Sequence, residues 1–248
     1  MIMAGGIATI TLDRPERRNA LTPDILVALC REIGHVRTLA GPGDDECRVL
    51  LLRGSGKVFC SGFDLDLCRD HPGGSVMRAL LSGLAAAVAS LRSCDVPVVV
   101  AAQGAAIAGG CALLGGADFV VADTNAKFGY PVVRLGVSPA VSIPFLRHAI
   151  GDGPARARTL DTALMDGAAA HALGLVSDLV STPDQVLPAA QAIAALLAAK
   201  PRLGLTATRL WLDELALTDA KRGLAASLAL TGGEEERRLL PQVWSTRP

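Results

Sequence analysis

The stretch Val98-Val99-Val100-Ala101-Ala102-Gln103-Gly104-Ala105-Ala106-Ile107-Ala108-Gly109-Gly110-Cys111-Ala112-Leu113-Leu114 decides the fold. Its first five residues form an unbroken apolar run after Pro97, the pattern of a strand buried on both faces. Gln103-Gly104 stops that run, and the small residues from Gly109 open a short helix near 109–114. A further apolar run at 119–122 reads as the next strand. Buried strand, helix and buried strand in succession predict parallel pairing with helices packed on the sheet.

The same alternation extends in both directions. Residues 7–12 alternate Ile, Thr and Leu with Ala, a β period. Thr22-Pro23-Asp24 starts a helix, with Thr as N-cap and Pro at the first helical position. That helix places Ile25, Leu29, Ile33 and Val36 on one face. Residues 48–53 read as a strand ending at Gly54-Ser55-Gly56, and Ser75 opens a long helix to about residue 92, closed by Asp95-Val96-Pro97. After about Ser138 the pattern turns helical, with candidates at 140–148, 154–160, 166–173, 183–199, 203–215 and 221–230. One short strand candidate remains at 177–180. The expectation is an α/β core over residues 1–180 and a C-terminal helical subdomain over 181–248, with no linker and no fixed-period repeat.

Composition limits the functions available. At 248 residues, roughly 70–75% of the unfolded chain's surface can be buried, so the core needs neither disulfides nor metal. With 24 basic and 24 acidic residues the net charge is zero, which removes charge-driven binding to nucleic acid or a membrane surface. The apolar runs around 84–89 and 186–199 read as too short or too mixed for a membrane span. No basic segment followed by an apolar core opens the chain, so no signal peptide and a cytoplasmic location are expected. The six cysteines include no C-x-x-C pair and the four histidines do not cluster with them. Reduced core thiols are expected, and no metal site.

Two glycine-bearing turns carry the chemistry, Phe59-Cys60-Ser61-Gly62-Phe63-Asp64-Leu65 and Gly104-Ala105-Ala106-Ile107-Ala108-Gly109-Gly110-Cys111. In the second, the first amides of the helix have no intrahelical partner and lie at the positive end of its dipole. Ala108, Gly109 and Gly110 leave those amides open to a ligand carbonyl. Each turn has a plainer explanation by itself. A Gly-Gly helix start also serves close helix–strand packing, and Gly62 also serves a bend with Asp64 capping the next helix. Taken together, one amide from each turn aimed at one carbonyl oxygen can stabilise a thioester enolate or a tetrahedral oxyanion.

Five segments, in order, resemble the enoyl-CoA hydratase/isomerase (crotonase) superfamily. They are Ile10-Thr-Leu-Asp-Arg-Pro-Glu-Arg-Arg-Asn-Ala-Leu21, Gly56-Lys-Val-Phe-Cys-Ser-Gly-Phe-Asp-Leu65, residues 104–118, Ala126-Lys-Phe-Gly-Tyr-Pro with Leu135-Gly-Val, and Ala170-His-Ala-Leu-Gly-Leu-Val176. The resemblance implies a spiral of ββα units with a helical trimerisation region, assembled as a homotrimer or dimer of trimers. It implies an acyl-CoA thioester as ligand, in fatty acid metabolism, with coenzyme A part of the substrate and no other cofactor. The oxyanion donors fall on the N–H groups of Phe63 and Gly109. The 3′-phosphate and pyrophosphate of coenzyme A fall near Arg14, Arg17, Arg18 and Lys57, each of which also reads as a solvated surface charge. Ser61, Asp64 and Tyr130 complete the expected binding set; the Tyr130 hydroxyl either donates to substrate or pairs with backbone.

The resemblance breaks at the acid/base positions. Hydratases of the superfamily use two glutamates to position and split water, and those positions hold Ala112 and Val132 here; a third acidic position falls near Ala140. General acid–base groups typically supply about 10²–10⁴-fold each, so their loss leaves hydration weak. The polar residues that remain nearby are Asp64, Cys68, Asp70, His71, Tyr130, Arg134, Ser138 and Ser142. A triad of Ser138, His148 and an Asp has no support in the spacing. Several functions stay open. One is an acyl-CoA enzyme with other chemistry, such as isomerisation, or decarboxylation of a malonyl-type thioester, which needs enolate stabilisation and an apolar pocket but no base. The others are a non-catalytic acyl-CoA carrier or regulator, and plain hydration.

Overall fold

The computed structural model describes residues 1–39, 46–69, 75–133 and 138–215. The helix expected at 221–230 and the charged tail beyond it lie outside the described residues. The central sheet has six strands in the order β1-β2-β3-β4-β6-β9. These are β1 (Ile2–Ala4), β2 (Ile7–Leu12), β3 (Val49–Gly54), β4 (Val98–Ala101), β6 (Phe119–Asp123) and β9 (Asp178–Val180). Only β1 runs antiparallel to its neighbour; every other pair is parallel, with Leu50 opposite Val98 and Val99 opposite Phe119.

Both faces of this sheet are covered, which explains the unbroken apolar runs. One face sends Ile10, Leu50, Leu52, Val98, Val100 and Val120 into the main core with α1 (Pro23–Leu39) and α3 (Ser75–Arg92). The alternate residues Val49, Leu51, Val99, Ala101 and Val121 pack on Val186, Ala190, Ala194 and Leu197 of α8 (Pro183–Ala198). A one-residue slip in any strand would exchange those two sets. The α1 face closes on Leu26, Leu29, Ile33 and Val36. Leu26 thus takes the buried place expected of Ile25, which is half-buried. By length and composition alone α3 is apolar enough to cross a membrane. Here it packs against α1 and buries Leu80, Leu84, Ala87, Val88 and Leu91.

A second sheet of three strands, in the order β5-β7-β8, stands beside the first. Its members are β5 (Ala105–Ile107), β7 (Lys127–Gly129) and β8 (Met165–Asp166). The second glycine turn therefore contains a strand: the chain leaves β4, turns at Gly104, pairs with β7 along β5, and only then enters α4 (Gly109–Leu113). The remaining helices are α2 (Asp66–Arg69), α5 (Ile143–Ile150), α6 (Asp152–Leu160), α7 (Gly167–Ala172) and α9 (Arg202–Glu214). Helix α5 starts three residues later than expected, because the Ser142 and Ile143 amides both close on the Pro139 carbonyl. Arg209 of α9, itself buried, donates to the carbonyls of Leu91, Arg92 and Cys94 and pairs with Asp118, fastening α9 to the end of α3.

Candidate functional site: two turns over a cavity

Hydrogen bonds lock the two glycine turns together. Phe59 N–H donates to Gln103 (2.9 Å), Cys60 N–H to Ala105 (3.1 Å) and Ile107 N–H to the Cys60 carbonyl (3.0 Å). Glycine is required where they touch. A Cβ on Gly110 would lie 2.5 Å from the Cys60 carbonyl oxygen, and one on Gly104 2.2 Å from that of Lys57. Gly62, at φ +101°, sits so close to the second turn that its Cβ would lie 3.7 Å from the Gly109 nitrogen. The Phe63 ring in turn packs on the Gly109 backbone, 3.1 Å from where a Cβ would be.

Each turn is also tied back to its own scaffold. In the first, Leu21 N–H donates to Gly62 (2.7 Å) and Asp64 N–H to Leu21 (2.9 Å), which fixes the peptide planes on either side of Phe63. In the second, the buried Asp123 at the end of β6 accepts from Gly104 N–H at 2.8 Å, and Ala108 N–H donates to Gly129 at 2.9 Å. The Phe63 and Gly109 N–H groups have no acceptor among the described residues. Ala108, just before Gly109, holds φ 51° and ψ −110°, a conformation L-residues avoid. Such strain persists only where neighbouring contacts over-determine the backbone, here the Ala108 N–H bond to Gly129 and the close approach of Gly62. Helix α4 has only five residues and passes into a single 3-10 turn at Leu114–Gly116.

Phe63 and Gly109 both line a cavity of about 340 Å³, walled also by Leu65, Met77, Leu81, Leu84, Ile107 and Val141 among others. Its polar side chains are Ser61, Tyr130, Ser138 and Ser142. Among the described residues no Asp, Glu, His, Cys, Lys or Arg lines it. Val132 is on its wall, whereas Ala112 lines a second cavity of about 160 Å³ behind it. The Tyr130 hydroxyl donates to the Cys111 carbonyl at 3.3 Å, so of its two expected roles the structure shows pairing with backbone. Burial holds the Tyr130 phenol well above its ordinary pKa and pushes the Cys60 and Cys111 thiols up to about 12 and about 11. None of these groups ionises near neutral pH.

Outside the front cavity lies a charged groove of about 410 Å³, lined by Glu16, Arg17, Arg18, Asp64 and Asp66 and sharing Ser61, Phe63, Leu65 and Ile107 with the cavity. Arg14 and Lys57 are not among its lining residues. Asp64 is the centre of the rim. Its carboxylate accepts from Arg14 Nη1 at 2.6 Å and from Arg17 Nη2 at 3.2 Å, and Arg17 also pairs with Asp66. The Arg14 hydrogen bond, reinforced by Arg17, holds the Asp64 carboxyl below the usual carboxylate range although burial opposes it. The cap role expected of the Asp64 side chain is replaced by this double ion pair, since two guanidinium groups are stronger partners than one orphan amide. Arg18 and Lys57 are exposed and make no ion pair with described residues. Asp70, His71 and Arg134 lie outside the described residues.

The sequence alone misses two residues that hold this geometry. Asn19 is buried with φ 55°; its side chain accepts from Arg14 N–H (2.8 Å) and donates to the Ser55 and Val58 carbonyls (both 2.9 Å). Gln103 donates to the Gly54 carbonyl at 2.8 Å. An asparagine after two arginines, followed by Ala20-Leu21, is the available signal, because Asn tolerates a left-handed backbone.

An α/β scaffold thus carries two unpartnered backbone N–H groups beside a largely apolar cavity, with a charged groove that shares four of its lining residues. Comparison with known proteins places it further. The family model described as enoyl-CoA hydratase/isomerase matches residues 3–230. A Rhizobium meliloti protein named "Probable enoyl-CoA hydratase" is 31% identical over 98% of this chain and 88% of its own length. The crotonyl-CoA hydratase of Syntrophomonas wolfei is 30% identical over 88% of this chain and 82% of its own. The crystal structure of an enoyl-CoA hydratase from Mycobacterium smegmatis superposes with a TM-score of 0.86 at 24% identity, over 98% of this chain and 95% of that one, which speaks to the fold. The chain belongs to the enoyl-CoA hydratase/isomerase family.

Proposed function

We propose that this protein binds acyl-CoA thioesters, holds the thioester oxygen between the N–H groups of Phe63 and Gly109, and does not hydrate enoyl-CoA efficiently. The observation that carries this is the pairing of two free amides with a cavity that, among the described residues, has no carboxylate, histidine or other group able to move a proton near neutral pH. The acyl group takes the apolar front cavity, and the coenzyme A portion leaves through the charged groove. Arg18, which lines that groove, is the better candidate for its phosphates, since Arg14 and Arg17 are already held by Asp64. By the family's pattern the protein assembles as a homotrimer or dimer of trimers in the cytoplasm, without another cofactor. The exposed Leu203, Leu210, Leu212 and Leu215 of the α9 region support such an assembly face.

One chemistry is favoured by the same walls. In a malonyl-type thioester the bond to the terminal carboxylate breaks and its electron pair enters the enolate, whose oxygen the two N–H groups hold. CO₂ leaves, and water supplies the proton to the α carbon. This needs an oxyanion hole in an apolar site and no protein base.

Titration calorimetry with butyryl-CoA and with free coenzyme A tests the proposal. Saturable binding of the thioester, at least tenfold tighter than free coenzyme A, is expected. Absence of binding by any CoA ester contradicts it. Release of CO₂ from malonyl-CoA, measured in the same preparation, separates the decarboxylating enzyme from a carrier.

A further inference from the structure

Behind the front cavity, the second cavity of about 160 Å³ runs from Ala112 of α4 past Ala117 and Asp118 to Leu146, Gly174 and Ser177. The two cavities share two lining residues, Tyr130 and Ser142. Both are buried, at 3% and 5% exposure. The Tyr130 ring is pinned on its far side by the bond from its hydroxyl to the Cys111 carbonyl of α4, and the Ser142 hydroxyl faces it from the start of α5. Tyr130 and Ser142 are thus the two side chains common to both cavities.

We infer that Tyr130 is a specificity-determining partition: it confines the acyl chain to the front cavity and closes off a rear space that would take the distal carbons of a longer acyl chain once the ring is removed. This rests on the acyl-CoA binding proposed above. Three features of the rear cavity fit a hydrocarbon tail. In size it matches an engineered cavity of about 150 Å³ that binds benzene, room for about six carbons, although Asp118, Ala149, Gly174 and Ser177 on its lining are exposed to solvent. Its walls include Leu114, Val120, Phe145, Leu146 and Leu175. Its charged and hydroxyl groups already have partners within the fold: Asp118 accepts from Val98 N–H and from Arg209, and Ser177 Oγ accepts from Val120 N–H. A tail entering there leaves those bonds intact.

Each methylene taken from water into such a site strengthens binding about fourfold. Chain-length profiles, from butyryl- to dodecanoyl-CoA by calorimetry, read the partition directly. In the unaltered protein, affinity is expected to rise until the front cavity is full and then to stop rising. Tyr130→Ala should extend that rise by at least two methylenes, about tenfold or more for the longer esters. Tyr130→Phe, which keeps the ring, should leave the cut-off where it is. Adding Ala117→Leu, which fills the rear cavity from the side away from the front one, should cancel the gain made by Tyr130→Ala. If Tyr130→Ala proves too unstable to titrate, Tyr130→Leu in its place should give a smaller extension of the same sign. A cut-off unmoved by either truncation, in protein that still binds butyryl-CoA, overturns the partition alone. So does a cut-off shortened by Ala117→Leu in the otherwise unaltered protein, since the tail would then already reach the rear cavity. No binding of any ester to the unaltered protein overturns the acyl-CoA assignment and the subsite with it.

Discussion

The charged rim and the uncharged cavity behind it are a few residues apart in sequence and opposite in chemistry. At the rim, Arg14, Arg17, Asp64 and Asp66 spend their charges on one another and hold the first turn in place. Inside, serine hydroxyls and a buried phenol are the polar side chains among the described residues lining the cavity. The ionic groups of the rim are paired with one another, and the cavity behind offers backbone amides and hydroxyls among the described residues. Under the proposed function, binding is kept where the means of moving protons is not.

The contrast depends first on the contact between the turns. Gly110→Ala drives a methyl group into the Cys60 carbonyl, 2.5 Å away, with Cys60 Cβ at 2.8 Å. Overpacking of this kind costs about 1–3 kcal/mol. It should also part the Phe63 and Gly109 amides and weaken acyl-CoA binding by more than a hundredfold, read by calorimetry beside a denaturant titration. Unchanged binding would mean that the two turns need not meet.

A smaller effect is expected from the rim. Asp64→Asn leaves two guanidinium groups facing a neutral amide, and hydrogen bonds to charged groups contribute about 1.5–3 kcal/mol. Arg14 and Arg17 are 29% and 44% exposed, so solvent screening puts the loss at the lower end of that range. The sign with pH is fixed. The folded Asp64 pKa lies below the unfolded value of about 3.9, so its contribution is complete above that pH and disappears as the pH falls through the folded value. Denaturant midpoints of the two proteins should differ at pH 7 and converge as the pH drops below about 4. Divergence on acidification would show that Asp64 is not held as a carboxylate.

The smallest change should come at Ala108. Its left-handed backbone costs about 1–3 kcal/mol, and glycine gives back about 0.4–1 kcal/mol through the freer unfolded chain. Ala108→Gly is therefore expected to stabilise the fold by about 0.5–2 kcal/mol. A drop in the unfolding midpoint would mean that the Ala108 methyl packs more usefully than its strain costs.

Legibility in the sequence follows the length of the signal. Strands β3, β4 and β6 are apparent because sheet burial on both faces writes four or more apolar residues in a row. Helices α1 and α8 are equally plain from Thr22-Pro23-Asp24 and Thr182-Pro183-Asp184. Strands β5, β7 and β8 have three, three and two residues, too short for a period to emerge, and β5 is hidden inside what reads as a turn. At the site, the glycines announce the close approach of the turns. The Asp64 ion pairs join residues 50 and 47 positions apart, and no local pattern encodes them. The rear cavity is invisible for a similar reason: it is a space left between α4, β6 and α5, and the sequence shows only the alanines and glycines that fail to fill it.

The central claim is that binding has been kept without the means of hydration, and the rate of crotonyl-CoA hydration at a concentration shown by calorimetry to saturate the site tests it most directly. Enzymes typically turn over at about 1–10³ per second. Without two acid/base groups worth about 10²–10⁴-fold each, turnover here should fall to about 0.1 per second or less while binding persists. Saturated turnover within the ordinary enzymatic range would contradict the account and require a proton-transfer group that the described walls of the cavity do not contain.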